Sequence, residues 1–429
     1  MKFIDLFCGI GGFHSALSQL GHECVFACDI DKDAAAMYEY NFNIRVHKDI
    51  RECNNLPNFD ILCAGFPCQP FSKSGSQDGF RDKTRGTLFH EIMRIVKESK
   101  PKIIFLENVP NLESHDGGNT YKIIKKSIIK SGYYFSSDKL SPHEFGTPQI
   151  RKRLFMVGIR RDISGKKKFC FPQGTDKNTD VRSILDEDDS IPKKYFLSKK
   201  EINVLNTWNH FISNLPILSK PASPTWSQEF DRTYPLNNIH PISSSKLVKI
   251  RELKDILRNE GIMPQKYRSD VITQFPPYIS SLQSTIPKWK IKFIVNNRNL
   301  WNNVSNDVGI KWLNKVRKYK DTFQKFEWQV GNGERDIWKH IIQTRPSGIR
   351  VKKSNYIPAL VAISQVPIIG WQKRRMTPKE CARAQDFDVD GDFRTFTLHK
   401  KDNIAYKQLG NSVNVKVVKL IMQKIEEFV

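Results

Sequence analysis

The stretch Ala64-Gly65-Phe66-Pro67-Cys68-Gln69-Pro70-Phe71-Ser72 follows an apolar run, residues 59–63, that is typical of a buried strand. A cysteine just past a strand end and between two prolines lies on a stiff turn that presents its side chain outward. Open α/β sheets bind their ligands at this edge. A free thiol has a pKa of about 8.5, so Cys68 needs a nearby positive charge, helix N-terminus or hydrogen-bond donor to attack as a thiolate. Since most lone cysteines are only small buried apolar groups, the interpretation of Cys68 depends on the rest of the chain.

The composition is that of a soluble globular protein, with 39% hydrophobic and 27% charged residues among 429. This length suits two or three domains. No run approaches the roughly 18 apolar residues of a membrane span, and the chain begins with a predicted strand rather than a signal peptide. The eight cysteines form no CxxC pair and no cluster with histidine. We therefore expect reduced cysteines, a cytoplasmic protein and no metal site.

The charge is strongly positive, with 69 lysines and arginines against 45 acidic residues and a formal net charge of +24. Basic side chains gain free energy by displacing the counterions condensed on a polyanion. The charge therefore predicts a nucleic-acid partner first and a membrane surface second.

A glycine turn follows the first predicted strand, Lys2–Phe7. Cys8-Gly9-Ile10-Gly11-Gly12 leads into a helix-like run, residues 13–20. A strand, a glycine turn and a helix N-terminus form a site for a nucleotide-like cofactor, because glycines let the backbone approach the ligand closely. A dinucleotide fingerprint would have a third glycine where this chain has His14, which weakens that specific interpretation.

Two acids end the next predicted strands. Asp29 lies about 20 residues past the glycines, where a carboxylate can accept hydrogen bonds from ribose hydroxyls. Asp49 ends a third short strand in the same way. Each acid alone is more typical of a helix cap, but together they favour cofactor binding.

The region after Cys68 supplies a second carboxylate. Residues 72–86 are polar and rich in glycine, which predicts a mobile loop over the site. An amphipathic helix, residues 88–98, and a buried strand, residues 102–106, follow. That strand ends in Glu107, at the same predicted sheet edge as Cys68.

Arg151 and Arg153 precede the next predicted strand, residues 154–158. Side chains two residues apart on an extended chain point the same way, so both arginines are expected to face one site. The alternative is a solvated basic edge strand.

From about Lys166 the β/α alternation is lost and basic runs recur. All eight tryptophans lie between Trp208 and Trp371. This change predicts a separate domain, and its mixture of basic and aromatic residues suits nucleic acid. The alternative role for the tryptophans is to form that domain's own core, which we expect for most of the eight. Order returns with the helix start at Thr377 and a glycine-asparagine turn at residues 410–413. The amphipathic helix after it, residues 415–428, is expected to dock back on the first domain.

Together these motifs resemble the DNA (cytosine-5) methyltransferases of bacterial restriction-modification systems, which use S-adenosylmethionine. The matching motifs are Asp5-Leu6-Phe7-Cys8-Gly9-Ile10-Gly11-Gly12, Gly65-Phe66-Pro67-Cys68-Gln69-Pro70-Phe71-Ser72, Glu107-Asn108-Val109, Gln149-x-Arg151-x-Arg153, the helix at 377–384, and Gly410-Asn411-Ser412-Val413. They cover most of residues 1–160 and 376–429.

The resemblance implies an α/β fold. We expect a Rossmann-like catalytic domain with a mixed, mostly parallel sheet, a smaller and irregular target-recognition domain, and a C-terminal helix that returns to the catalytic domain. The expected segments are 1–170, 171–375 and 376–429.

The resemblance also implies a set of site residues. Cys68 would be the nucleophile, Glu107 would act on cytosine N3, and Arg153 with Arg151 would hold the O2 side of the base. The expected S-adenosylmethionine residues are Phe7, Gly9, Gly11, Asp29, Ile30, Asp49, Ile50, Pro67, Leu88, Asn411, Ser412 and Val413. The expected DNA contacts are Gln69, Ser72, Arg345, Arg350, Lys352, Lys353 and Asn355.

One departure affects the DNA contacts. Where the family usually carries a Thr-Leu pair in its DNA-reading loop, the similar stretch here, residues 347–356, has Lys352 and Lys353. Individual base-reading roles therefore do not transfer from the family.

The implied partner is double-stranded DNA. A cognate restriction endonuclease would act on the same site without a stable complex, and the enzyme would be a cytoplasmic, nucleoid-associated monomer with no membrane partner. Two alternatives share the fold: a tRNA cytosine-5 methyltransferase, whose distinctive Cys-Phe-Thr stretch is absent here, and a catalytically inactive DNA-binding regulator.

Overall fold

The structure is a computed structural model that describes residues 1–67, 86–164, 169–175, 178–187, 190–216, 221–234, 236, 249–277, 286–361, 365–391 and 395–429. The predicted nucleophile Cys68, the predicted DNA contacts Gln69 and Ser72, and the predicted loop up to residue 85 lie outside these ranges.

The chain forms two compact units. The first comprises Met1–Ile191, Asn355–Val366 and Met376–Val429, and the second comprises Pro192–Ser354 and Pro367–Arg375. Residues 171–191 and 355–366, which the sequence analysis grouped with target recognition, thus belong to the first unit.

The secondary structure alternates regularly only in the first unit. In chain order the strands are β1 (Lys2–Leu6), β2 (Glu23–Cys28), β3 (Val46–His47), β4 (Ile61–Ala64), β5 (Ile103–Asn108), β6 (Tyr133–Leu140), β7 (Gln149–Ile150), β8 (Arg153–Arg160), β9 (Thr225–Trp226), β10 (Lys325–Gln329), β11 (Ile341–Arg345), β12 (Gly348–Lys352), β13 (Ile357–Pro358), β14 (Ile368–Ile369) and β15 (Arg374–Arg375). The helices are α1 (Gly12–Ser18), α2 (Lys32–Phe42), α3 (Gly86–Ser99), α4 (Asn119–Lys130), α5 (Arg161–Ser164), α6 (Lys199–Ser213), α7 (Ile250–Asn259), α8 (Arg268–Thr273), α9 (Lys288–Val308), α10 (Ile310–Val316), α11 (Pro378–Arg383), α12 (Asp402–Asn411) and α13 (Val415–Glu426).

The first unit is organised around a seven-stranded sheet in the order β3-β2-β1-β4-β5-β8-β6. The five strands from β3 to β5 are parallel, and β8 and β6 complete the sheet with antiparallel pairing. This confirms the predicted mixed, mostly parallel sheet. The strand order reverses at β1, so the turns after β1 and β4 meet at the point where such sheets bind ligands.

Central strands of this sheet are buried on both faces, which explains their continuous apolar sequences. All four residues of β4 and all six of β5 are buried. The apolar side of α3 packs into the same core, through Phe89, Ile92 and Val96.

Strand β6 is an element that the sequence analysis missed. Within the described ranges it lies at the sheet edge and pairs with β8 alone. Its sequence, Tyr-Tyr-Phe-Ser-Ser-Asp-Lys-Leu, is largely polar and only partly buried. Edge strands carry charge and small polar groups, so the apolar signal that identified the central strands is weak here.

The second unit contains a six-stranded sheet in the order β15-β14-β11-β12-β10-β9. Tryptophan forms much of its core, as expected: Trp208, Trp301, Trp312 and Trp328 are buried, and Trp208 stacks on Phe326 with ring centroids 4.8 Å apart. A smaller cluster forms around α7 and α8.

The C-terminal helix returns to the first unit, as predicted. Lys419 Nζ in α13 donates to Gln19 Oε1 just after α1, at 3.1 Å, and His22 Nε2 lies 3.0 Å from Glu426 Oε1.

Asn414 fixes the start of this helix. Its Oδ1 accepts a hydrogen bond from Val417 N at 3.0 Å, and its Nδ2 donates to Asp386 Oδ2 at 2.7 Å. Thr147 Oγ1 donates to the same carboxylate at 2.7 Å. Asp386 thereby connects Thr147, just before β7, to the start of α13, two parts of the unit that are distant in sequence.

We expect Asn414→Ala to lower the free energy of unfolding by about 2–3 kcal/mol, because it removes a helix cap and leaves a buried acceptor with one donor fewer. Chemical denaturation measures this change. Asn58→Ala, at an exposed asparagine of the same unit, is the control and should change stability by less than about 0.5 kcal/mol. Equal effects for the two variants would contradict this account of Asn414.

Candidate functional site

The glycine turn after β1 has the backbone conformations that only glycine adopts easily. Phe7, Gly9 and Gly11 all have positive φ. A Cβ atom on Gly11 would lie 2.2 Å from the ring of Phe42. A Cβ on Gly12 would lie 2.6 Å from Val413 Cγ2, so this glycine allows the turn at residues 410–413 to approach.

Asp29 holds this turn in place. Its Oδ2 accepts a hydrogen bond from Gly9 N at 2.7 Å, and its Oδ1 accepts one from Asp31 N at 2.8 Å. Burial raises the pKa of the Asp29 carboxyl, and these two hydrogen bonds oppose that rise. Each oxygen retains a lone pair for a further donor. The next residue, Ile30, is 74% exposed, so an apolar side chain stands open beside the carboxylate.

Asp49 is arranged differently. Its carboxylate is gripped by the Arg51 guanidinium, with Arg51 Nη2 2.6 Å from Oδ2, and it also caps the turn at Arg51 N at 2.9 Å. The hydrogen bonds from Arg51 lower the pKa of Asp49. The expected cofactor residue Ile50 is buried in the core, whereas Pro67 is exposed and Leu88 is half-buried.

Glu107 is positioned beside the turn that leads to Cys68. It is the fifth residue of β5, and its Oε2 lies 3.7 Å from the position that a Cβ on Gly65 would occupy. Burial raises the pKa of the Glu107 carboxyl, and the charges of Arg153 and Arg151 oppose that rise. A larger fraction of this carboxyl is therefore protonated near neutral pH than in water.

Asn108, which the sequence analysis did not assign, fixes the same turn. Its Nδ2 donates to the carbonyl of Phe66 at 3.2 Å, and its Oδ1 accepts from Val109 N at 2.9 Å. The sequence signal for a role of Asn108 was its position directly after Glu107, at the end of β5.

The two arginines have different contacts. Arg153 Nε lies 3.0 Å from Glu107 Oε1. The Arg151 guanidinium is buried and donates to three carbonyl oxygens: Leu360 at 2.7 Å, Gly410 at 2.8 Å and Ser412 at 2.7 Å. Both arginines were expected to face one site. In the structure Arg153 faces Glu107, whereas Arg151 holds the turn at residues 410–413. Within that turn Asn411 is exposed and Ser412 and Val413 are buried.

A buried polar network below the glycine turn was also missed. Tyr38 OH donates to Asp5 Oδ2 at 3.3 Å and lies 2.8 Å from His14 Nδ1. Burial raises the pKa of Asp5 well above its ordinary value, and the hydrogen bond from Tyr38 opposes that rise. The network joins β1, α1 and α2 beneath the site. An aspartate inside the apolar strand Phe3–Phe7 was the signal for it.

The predicted DNA contacts divide between the units. Arg345, Arg350 and Lys352 lie on the sheet of the second unit. Lys353 is exposed and follows directly after the last residue of β12. Asn355 belongs to the first unit.

The described residues contain no group of three or more histidine, cysteine or acidic side chains arranged to hold a metal ion. Among the helices in those ranges, none combines the length and apolar content that crossing a bilayer requires.

Comparison with known proteins identifies the family of this chain. A family model described as C-5 cytosine-specific DNA methylase matches residues 1–427. The Type II methyltransferase M.AluI of Cellulosimicrobium cellulans is 32% identical over 99% of this chain and 91% of its own length. The Type II methyltransferase M.HhaI of Haemophilus parahaemolyticus is 43% identical over 48% of this chain and 63% of its own length. A solved methyltransferase structure from Entamoeba histolytica, 16% identical, shares the fold with a TM-score of 0.50 over 100% of this chain and 98% of that one. The chain therefore belongs to the C-5 cytosine-specific DNA methylases and is a DNA (cytosine-5-)-methyltransferase of the restriction-modification type.

Proposed function

We propose that this enzyme methylates C5 of a cytosine flipped out of duplex DNA, through a covalent bond between Cys68 and C6 of the base. The observation that carries the proposal is the placement of Glu107, a buried carboxyl paired with Arg153. Glu107 lies against Gly65, and Gly65 precedes Cys68 by three residues. An atom inside a duplex is inaccessible to such a site, so the base must leave the helix.

The residues around the glycine turn fit S-adenosylmethionine as the methyl donor. The Asp29 carboxylate holds the turn and keeps lone pairs for ribose hydroxyls. Phe7 is partly exposed, and Ile30 is the open apolar side chain beside Asp29. These residues, with Gly9, Gly11, Asp49 and Ser412, would hold the cofactor. When bound, it supplies an electrophilic methyl group.

Cys68 overcomes the weak nucleophilicity of cytosine C5. Attack of its thiolate on C6 creates an electron-rich C5, which is covalent catalysis that divides one difficult step into two. Negative charge accumulates at N3 during this attack, and the Glu107 carboxyl donates a proton or hydrogen bond there. After methylation the C5 proton passes to a solvent water, the bond to Cys68 breaks with the electron pair leaving on sulfur as the thiolate, and the proton at N3 returns to Glu107.

The two arginines serve this chemistry in different ways. Arg153 contacts Glu107 directly and would bind the O2 side of the base. Arg151 acts as a positioning residue, because its guanidinium holds the carbonyls of Gly410 and Ser412, next to the glycine turn.

The biological role that follows is protection of host DNA from a restriction endonuclease that cuts the same site. The net charge of +24 suits duplex DNA as the substrate. The enzyme would act as a monomer in the cytoplasm, on the nucleoid, without a stable complex with the endonuclease.

The nucleophile is tested by covalent trapping. DNA that carries 5-fluorocytosine at the target should hold the wild-type enzyme covalently, because fluorine at C5 cannot leave as a proton does. Cys68→Ser should abolish both trapping and methyl transfer while cofactor binding persists. Cys170→Ser, at an exposed cysteine, should behave as wild type. Wild-type turnover without a trapped complex would exclude the covalent mechanism.

Glu107→Gln should reduce the methylation rate about 100-fold or more, because the amide cannot share a proton with N3. Cofactor affinity should change little. The wild-type rate should also fall as pH rises through the raised pKa of Glu107, since the protonated form is lost, and this alkaline limb should be absent from the variant. The control is Glu98→Gln, at a mostly exposed acid on α3. A near-normal rate for Glu107→Gln would show that another group activates N3.

Arg151→Lys and Arg153→Lys should separate positioning from substrate contact. Lysine cannot reach three carbonyls with a fork of donors, so Arg151→Lys should lower the free energy of unfolding by about 2–3 kcal/mol and weaken cofactor binding. Arg153→Lys should slow methylation with little loss of stability. Calorimetric melting measures the stability of each variant, titration measures its cofactor affinity, and a methylation assay measures its rate. Equal changes in all three quantities for the two variants would refute the division of roles.

A further inference from the structure

One face of the sheet in the second unit is lined with charged side chains. Strand pairing places Glu327 on β10 beside Arg350 on β12, and Arg350 beside Gln343 on β11. Because side chains alternate along a strand, these residues share one face with Arg345 and Lys352. The intervening residues Phe326, Ile349, Val351 and Ile342 pack into the core on the other face.

Glu327 and Arg350 form a close ion pair at the centre of this face. Arg350 Nε and Nη2 both lie 2.6 Å from Glu327 Oε2. The side chains are only 22% and 16% exposed. Two donors on one carboxylate oxygen fix the plane of the guanidinium, so Arg350 is held in one orientation before any ligand arrives.

The face carries more positive charge than Glu327 balances. Burial lowers the pKa of Arg345, and repulsion from Arg350 adds to this effect. Burial also lowers the pKa of Lys352, with further repulsion from Arg350 and Arg345. Three cations therefore share this face with Glu327 and repel one another, and an electronegative ligand would relieve their repulsion.

Arg345 provides an independent sign of a ligand. Its Nη1 is shielded from solvent and has no hydrogen-bond acceptor within the part of the chain that the structure describes. A buried donor without an acceptor is costly. The Arg345 side chain as a whole is half-buried, so a turn of its guanidinium would bring this donor to an acceptor that a ligand presents to the face.

We propose that this face reads a guanine in the major groove, with Arg345 and Arg350 as the donors and Glu327 as the residue that determines specificity by orienting Arg350. The proposal rests on the proposed function. Guanine presents two acceptors, N7 and O6, which match an arginine fork. The carboxylate of Glu327 repels a phosphate but tolerates the neutral edge of a base, which favours a base over the DNA backbone as the ligand.

The test begins with the recognition site, which sequencing of 5-methylcytosine in DNA methylated by the wild-type enzyme defines. Each guanine of that site is then replaced by 7-deazaguanine, which lacks the N7 acceptor. At one position the replacement should weaken wild-type binding roughly 10-fold. The same replacement should have little further effect on Arg345→Ala.

Glu327→Gln keeps the shape of the side chain and removes its charge. It should narrow the preference for cognate over single-mismatch duplexes roughly 10-fold, while binding to scrambled DNA stays equal or tightens. The salt dependence of binding should not become weaker, because no phosphate contact is lost. Glu334→Gln, at an exposed acid of the same unit, is the matched control and should keep wild-type preference.

Arg350→Lys keeps the charge but cannot form the fork, so it should lose preference as Glu327→Gln does, with an unchanged melting temperature. Two results would overturn the proposal: Glu327→Gln with wild-type preference, or variants of Arg345 and Arg350 that weaken cognate and scrambled DNA equally with a reduced salt slope, which would identify a phosphate contact. Absence of 5-methylcytosine from the wild-type reaction would instead overturn the proposed function itself.

Discussion

The buried guanidinium of Arg151 is the contact on which the first unit depends. It binds carbonyls of Leu360, Gly410 and Ser412, positions that follow it by 209, 259 and 261 residues. A charge removed from water is stable only when its donors are satisfied. Burial of Arg151 therefore requires these distant segments to be in place, and Arg151 in return holds the turn at residues 410–413 that lies against Gly12.

The electrostatics of the site follow from the same packing. Glu107 and Asp29 both lie at strand ends where burial raises the pKa of the carboxyl, but their partners differ. Asp29 accepts two backbone N–H groups and remains an acceptor. Glu107 faces Arg153, whose charge moderates the rise in its pKa. One sheet edge thus carries a carboxylate suited to holding a ligand and a carboxyl suited to exchanging a proton.

The sequence predicted these features unevenly, for physical reasons. The parallel strands were identified because burial on both faces requires unbroken apolar runs, as in β4 and β5, and the glycine turn because it combines glycines with a strand end. Strand β6 was missed since an edge strand needs no apolar pattern. The contacts of Arg151 were not predictable, because a period-two argument places a side chain on a face but cannot identify carbonyls more than 200 residues away. The Glu327–Arg350 pair was missed for the same reason: strand register between β10 and β12 is set by three-dimensional packing.

The contact between Gly12 and the turn at Ser412–Val413 also has a consequence for biosynthesis. The ribosome makes the glycine turn about 400 residues before its supporting turn. At about 5–20 residues per second, the interval is tens of seconds. Contacts this distant in sequence also close slowly once the chain is available. A nascent chain therefore carries its glycine turn unsupported during that interval, and the turn gains this contact only after residues 412–413 have been made.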